Sequence, residues 1–259
     1  VMTGILIAVV LFIVLRRMAE KYKRQSEYQI AVSSEAKWLA ASQGTTFKDK
    51  VMTLVYNLKY ALYVIFHPFD GFYELKYRNR GSLGVSFIIL ILLSITYILM
   101  RQYTGFVFNH RDPSRLNILT EFASIFLPFA LWVGVNWALT ALMEGKGTLR
   151  DIIISSAYAL VPLILINLPL ILISNYLTLE EGAFYYMVMS FAIIWSLTLM
   201  FLGAVMTTHE YSFGKSFVTA IFTLVGMVFT LFLGVLFFNL LEQVTVFVNE
   251  VITELIYRV

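Results

Sequence analysis

FVTAIFTLVGMVFTLFLGVLFFNLL, residues 217–241, runs for twenty-five residues without a charge. A helix rises about 1.5 Å per residue, and about 20 apolar residues cross the roughly 30 Å hydrocarbon layer, so this stretch reads as a membrane-crossing helix. Four more uncharged apolar runs follow the same logic, at residues 83–100, 122–143, 152–174 and 183–206. A lead segment, residues 1–15, is also apolar but covers only some 22 Å as a helix. It reads as a truncated membrane anchor, with the chain expected to begin before Val1. A signal peptide is the competing reading, against which a basic leader is missing and Arg16 and Arg17 lie on the wrong side.

Composition agrees with these runs. Hydrophobic residues make up 59% of the 259 and charged residues 14%, against about 45–50% and about 25% for a soluble domain, which excludes an ordinary cytosolic enzyme. With no cysteine, a disulfide scaffold, thiolate zinc, iron–sulfur clusters and a thiol nucleophile are all excluded. The expected class is an all-α integral membrane protein: a five-helix transmembrane bundle (81–241), one N-terminal transmembrane anchor (1–15) and a cytoplasmic amphipathic helix within a basic segment (16–80). Residues 242–259 form a further extracytoplasmic helix.

Lysine and arginine are retained on the cytoplasmic side of short loops. Twelve of the nineteen lie between Arg16 and Arg80, so that segment is read as cytoplasmic. Alternation then places Lys146, Arg150 and Lys215 inside as well. Arg101, Arg111, Arg115 and Arg258 fall outside with the acidic pair Glu180 and Glu181, so the chain ends outside and a further extracytoplasmic domain is expected upstream.

Within the basic segment, Val51, Leu54, Val55, Leu58, Leu62, Ile65 and Phe66 recur at helical spacing, which predicts an amphipathic helix over about 47–66 with Pro68 beyond its end. Lys48, Lys50 and Lys59 with Tyr56, Tyr60 and Tyr63 are its membrane-surface candidates, since basic and phenolic side chains suit a headgroup boundary. Packing against the end of the bundle is an equal alternative. His67-Pro68-Phe69-Asp70-Gly71-Phe72 then reads as an elbow in which Pro68 and Gly71 break the helix. The apolar positions of the tail, Val244 to Ile256, suit either an extension of the fifth helix or a helix along the outer face.

Catalytic motifs fail on inspection. His209-Glu210 opens like the zinc-protease H-E-x-x-H, but position 213 is Phe213. Gly214-Lys215-Ser216 resembles the end of a phosphate loop, whose first glycine would fall on His209. No G-x-S-x-G elbow and no intramembrane aspartate pair occurs. Glu121, Glu144 and Asp151 sit at span edges, where water or headgroups can solvate them. Asn136, Asn167 and the span serines and threonines are read as helix-to-helix glue. Pro128, Pro162 and Pro169 predict kinks in spans two and three. No enzymatic activity, cofactor, metal or nucleic-acid partner is expected.

The amphipathic lead-in, the loop Gly145-Lys146-Gly147-Thr148, Tyr158-Ala159-Leu160-Val161-Pro162 in the next span, and the five-span order resemble the Yip domain family, the Ypt-interacting membrane proteins. The resemblance covers roughly 66–241, and His67 to Phe72 and His209-Glu210-Tyr211-Ser212 look closest to bacterial members. It implies a non-enzymatic scaffold or accessory subunit in the plasma membrane. Its expected partners are lipid and another integral membrane protein, ABC-type (sugar) transporter subunits among them. Candidate contact residues are Trp132, Asn136 and Trp137 in span two and Lys146, Arg150, His209, Glu210 and Lys215 in the loops. A small-molecule channel or transporter, and a lipid-handling protein, are the alternatives.

Overall fold

A computed structural model describes residues 47–78, 80–109 and 117–257. The lead segment 1–15, the basic stretch up to residue 46, Arg111, Arg115 and Arg258 lie outside the described residues. The chain divides into two compact units, one ending at Lys59 and the other Tyr60–Val259. No strand occurs among the described residues. Helix α1, Phe47–Phe66, occupies the predicted amphipathic stretch. In its second-unit part Ala61, Val64 and Ile65 are buried while Leu62, Tyr63 and Phe66 are exposed.

The elbow forms as expected at Pro68 and differently at Gly71. Pro68 starts a new helix, α2 (Pro68–Tyr77), at the position where its missing N–H is not needed. Gly71 lies inside α2 and does not break it. Its role is proximity: a Cβ there would stand 2.9 Å from the Val64 Cα, so only glycine lets the end of α1 and the start of α2 approach this closely.

Five segments are long and apolar enough to cross a membrane. The first is α3 (Leu83–Tyr103), capped by Ser82, whose hydroxyl accepts the Val85 N–H. The second, α4 (Ile118–Leu142), is capped by Asn117 and runs through Pro128 without interruption. The third is divided into α5 (Leu149–Ala159) and α6 (Val161–Ser174). Pro162 cannot donate in the first turn of α6, and the Leu160 N–H bonds back to the Ala157 carbonyl in a tighter turn. Of the three expected kinks, this is where the helical ladder is interrupted; Pro169 lies inside α6.

The fourth span begins with a 3-10 turn, Leu179–Glu181, continues as α7 (Gly182–Met200) and ends in a wide π-helical segment, Phe201–Thr207. The fifth, α8, is one helix of 45 residues, Phe213–Tyr257. The tail therefore extends the fifth span.

Helix α3 packs on α4, α5 and α6, and α4 packs on α5 and α8. Trp132, Val133, Ile152 and Val205 form a buried cluster between these elements. Helix α7 lies along α6, and its principal route to α8 is the π-helical segment at its end. That segment also meets α2, α5 and α8.

Most span hydroxyls are satisfied within their own helix and do not bridge to a neighbour. Ser94 donates to the Leu90 carbonyl at 2.9 Å, Thr96 to that of Leu92 at 2.8 Å and Thr140 to that of Asn136 at 2.7 Å. The expected helix-to-helix role holds for fewer groups: the Trp132 Nε1–H donates to Ser156 at 3.1 Å, and Thr208 to Ser155 at 3.2 Å.

The π-helical segment meets α2 at Gly203, where an added Cβ would fall 2.4 Å from the Phe72 ring. Gly203→Ala is expected to lower stability by about 1–3 kcal/mol through overpacking. Trimming the ring in Gly203→Ala/Phe72→Leu restores part of that loss, which thermal unfolding in detergent measures.

Candidate functional site

Three chain segments converge at the end of the bundle that carries Lys76, Lys146, Arg150 and Lys215: helix α2, the connection 143–148 between α4 and α5, and the connection 208–212 between the π-helical segment and α8. Glu210 joins all three. Its carboxylate accepts from Lys76 Nζ at 3.0 Å, from Lys146 Nζ at 2.6 Å and from the Tyr77 hydroxyl. The Glu210 backbone has φ 58°, in the left-handed region, which costs a residue with a Cβ about 1–2 kcal/mol. Three charge-assisted or hydroxyl contacts offset that strain.

His209 points the other way, into the protein, and is 1% exposed. Its Nδ1 accepts the Gly147 N–H at 3.3 Å and its Nε2 lies 3.1 Å from the Asn136 Oδ1. An amide oxygen can only accept, so Nε2 carries the proton and the ring is neutral. Burial first, and the Lys76 charge second, lower its pKa from 6.5 to about 4, with Asp151 opposing. A Cβ at Gly145 would meet His209 Nδ1 at 2.6 Å, and one at Gly147 would meet the ring at 2.8 Å. The two glycines let the backbone lie directly on the imidazole. Tyr211 and Lys215 close the arrangement by donating to the Met143 carbonyl at 3.1 and 2.9 Å.

Of the contact residues expected from sequence, this cluster gathers Asn136, Lys146, His209, Glu210 and Lys215. Trp132 lies elsewhere, in the core and bonded to Ser156. Trp137 is exposed on α4 and Arg150 is exposed at the start of α5. Among the membrane-surface candidates, Lys48 and Lys50 lie in α1 with side chains outside the description, Tyr56 is half-buried and Lys59 is exposed. Tyr60 is turned inward: its hydroxyl donates to Glu74 at 2.9 Å, Arg80 stands over its ring, and burial followed by the Glu74 charge pushes its pKa up. Tyr63 is exposed and stacks on His67.

At the opposite end the structure corrects one expectation. Glu121 stands at the span edge but is not solvated there. Helix α4 begins at Ile118, one turn earlier than the apolar run, and carries Glu121 in its first turn, 4% exposed and paired with Arg101 of α3. This pair borders a cavity of about 1140 Å³ between α3, α4, α7 and α8 that extends inward past Phe129 and Trp132 to Leu224 and Met227. Sequence reading missed both the pair and the cavity. A signal existed: Arg101 and Glu121 flank one connection, residues 104–117, with opposite charge. Among the described residues no group of three or more His, Asp or Glu side chains could hold a metal ion.

A bundle of five membrane-crossing helices, led in by a short helix pair and tied at one end through the ion pairs of Glu210, defines a polytopic α-helical membrane protein. The model of the Yip1 domain family matches residues 62–241, and the chain belongs to that family. No curated protein and no solved structure matches it.

Glu144 shares the Glu210 φ of 58° but is exposed, at the end of α4. Glu144→Gly is expected to raise stability by up to about 1 kcal/mol, relieving a left-handed residue, whereas Glu210→Gly lowers it because the carboxylate contacts are lost. Thermal unfolding compares the two. Because the folded-state pKa of His209 lies below its ordinary value, the unfolded chain takes up the extra proton first as pH falls. Its contribution is complete above 6.5 and is lost between 6.5 and about 4. His209→Gln should show a shallower fall in melting temperature across that window than the parent.

Proposed function

We propose that this Yip1-family protein is a non-enzymatic scaffold or accessory subunit of a membrane complex, with its basic end facing the cytoplasm of a plasma membrane. The observation that carries the reading is the clamp at Glu210. A carboxylate shared by Lys76, Tyr77 and Lys146 holds two connections and a helix in one arrangement. Such pre-organisation lowers the ordering cost of docking. Lys146 remains 70% exposed beside exposed Arg150 and Lys215, so the surface is basic and suits an acidic patch on a partner's cytoplasmic face.

Exposed Leu62, Tyr63, Phe66 and Phe69, with Tyr73 and Tyr77, support contact of the helix pair with the adjoining lipid headgroups, where aromatic rings are favoured. Subunits of an ABC-type transport system are the partner class we infer from the resemblance to bacterial members.

Arg150 carries charge on this surface without a place in the clamp. Arg150→Glu is therefore expected to reduce recovery of the partner several-fold after mild detergent extraction, while the melting temperature stays within a degree or two of the parent. Full recovery with Arg150→Glu and with Lys146→Glu/Arg150→Glu would remove the basic surface from the docking site.

A further inference from the structure

We propose that the interhelical cavity is a binding site for one phosphate-headed amphiphile, its head on Arg101 and its chains running inward between α4, α7 and α8. The site is separate from the docking surface at the basic end and does not rest on it. Polar and apolar lining are segregated along its length. At the outer end, near the termini of α3 and α4, stand Tyr97, Arg101, Asn109 and Glu121; deeper in, the walls are Phe129, Trp132, Leu163, Leu224 and Met227. A water-soluble metabolite would leave the deep half unpaired with anything polar, and a pure hydrocarbon would leave the charged rim unused.

Size and depth fit the same class. The volume, about 1140 Å³, exceeds the roughly 300–1,000 Å³ usual for small-molecule sites. From Glu121 to Trp132 along α4 is about 17 Å at helical rise, close to one leaflet's half of a roughly 30 Å hydrocarbon layer. A chain rooted at Arg101 thus reaches the depth that an acyl chain of the adjoining leaflet reaches. Helix α7 meets α8 chiefly through the π-helical segment at its inner end, which leaves the intervening wall without a helix-to-helix seam and gives chains a sideways route in from the bilayer.

The head chemistry comes from the ion pair. Glu121, with 5% of its side chain exposed, is committed to Arg101, whose side chain keeps 25% exposure at the cavity rim. A guanidinium has five N–H donors in a planar fork and pairs phosphate with two of them. Glu121 takes up one part of that fork, and the exposed remainder at the rim is what an anionic oxygen would meet. A bilayer glycerophospholipid and a phosphorylated polyprenol both carry that head on apolar chains.

Trp132, on the deep wall, gives the readout. In the full chain with Trp38, Trp137 and Trp195 replaced by phenylalanine, purified in mild detergent, phosphatidylglycerol brominated on its chains should quench Trp132 along a saturable curve. Unlabelled phosphatidylglycerol and a polyprenyl phosphate, each added as competitor, rank the two sources. Brominated diacylglycerol, which has no phosphate, should bind at least tenfold more weakly. Arg101→Gln/Glu121→Gln, which removes both charges together and leaves neither buried alone, should weaken the phospholipid tenfold or more. Ala220, one turn from Leu224 on α8, also lines the deep end, so Ala220→Phe, which fills it and leaves the rim intact, should abolish the saturable component by itself. Quenching that rises linearly and equally in parent and variants would overturn the site. Equal affinity for diacylglycerol and phosphatidylglycerol would overturn the assignment of the head.

Discussion

Hydrocarbon accepts no hydrogen bond, and that constraint orders the placement of most polar groups in the bundle, with Asn167 Oδ1 and Ser196 Oγ buried without a partner among the described residues. The span hydroxyls of Ser94, Thr96 and Thr140 return to carbonyls one turn back in their own helices. The one buried carboxylate among the described spans, Glu121, is met by Arg101. Asn136, fully buried in α4, is met by an imidazole that enters from a connection. Polar contacts between segments accordingly concentrate at the two ends of the bundle, where a loop can supply a partner, and the middle is mostly apolar packing, with the Trp132–Ser156 bond crossing it.

The basic end shows how much a few such contacts organise. His209 and Glu210 are neighbours in sequence and face opposite ways, one toward Asn136 and Gly147, the other toward Lys76, Tyr77 and Lys146. One dipeptide thus fastens α2, α4 and the α4–α5 connection. The backbone of Glu210 is left-handed at this turn, and the small loop residues Gly145 and Gly147 give the ring room. Neutrality of the imidazole is part of the fastening, because a second ring proton would face the Gly147 N–H.

Much of this architecture is legible as hydropathy. Each of the five long apolar runs lies in a helical segment long and apolar enough to span, the periodicity of Val51 to Phe66 became α1, and Pro68 marked its end. Contacts at long separation were not legible, since Lys76 and Glu210 stand 134 residues apart and Asn136 and His209 73, and no spacing rule links them. Glu121 was placed at the edge of its span, where it lies, but its burial was hidden for a specific reason: a run counted by its lack of charge must stop before the first carboxylate, whether or not the helix does. Gly71 shows the same limit, because a glycine that interrupts a helix and one that admits a neighbouring backbone are identical in sequence. His209 and Glu210 drew attention through a zinc motif they do not complete, although their importance lies in packing and charge.

Helix α8 has a mechanical consequence. At about 1.5 Å per residue its 45 residues make a rod roughly 67 Å long, more than twice the thickness of the oil layer. It is held near its root, where Thr219 and Thr223 are buried and Gly226 faces Val135, and past Met227 it is largely exposed. A pivot of about 10° at that root would sweep the far end sideways by roughly 8 Å over the unsupported 45 Å. Any small rearrangement among the loops beneath it would thereby be magnified at a distance, as by the long arm of a balance.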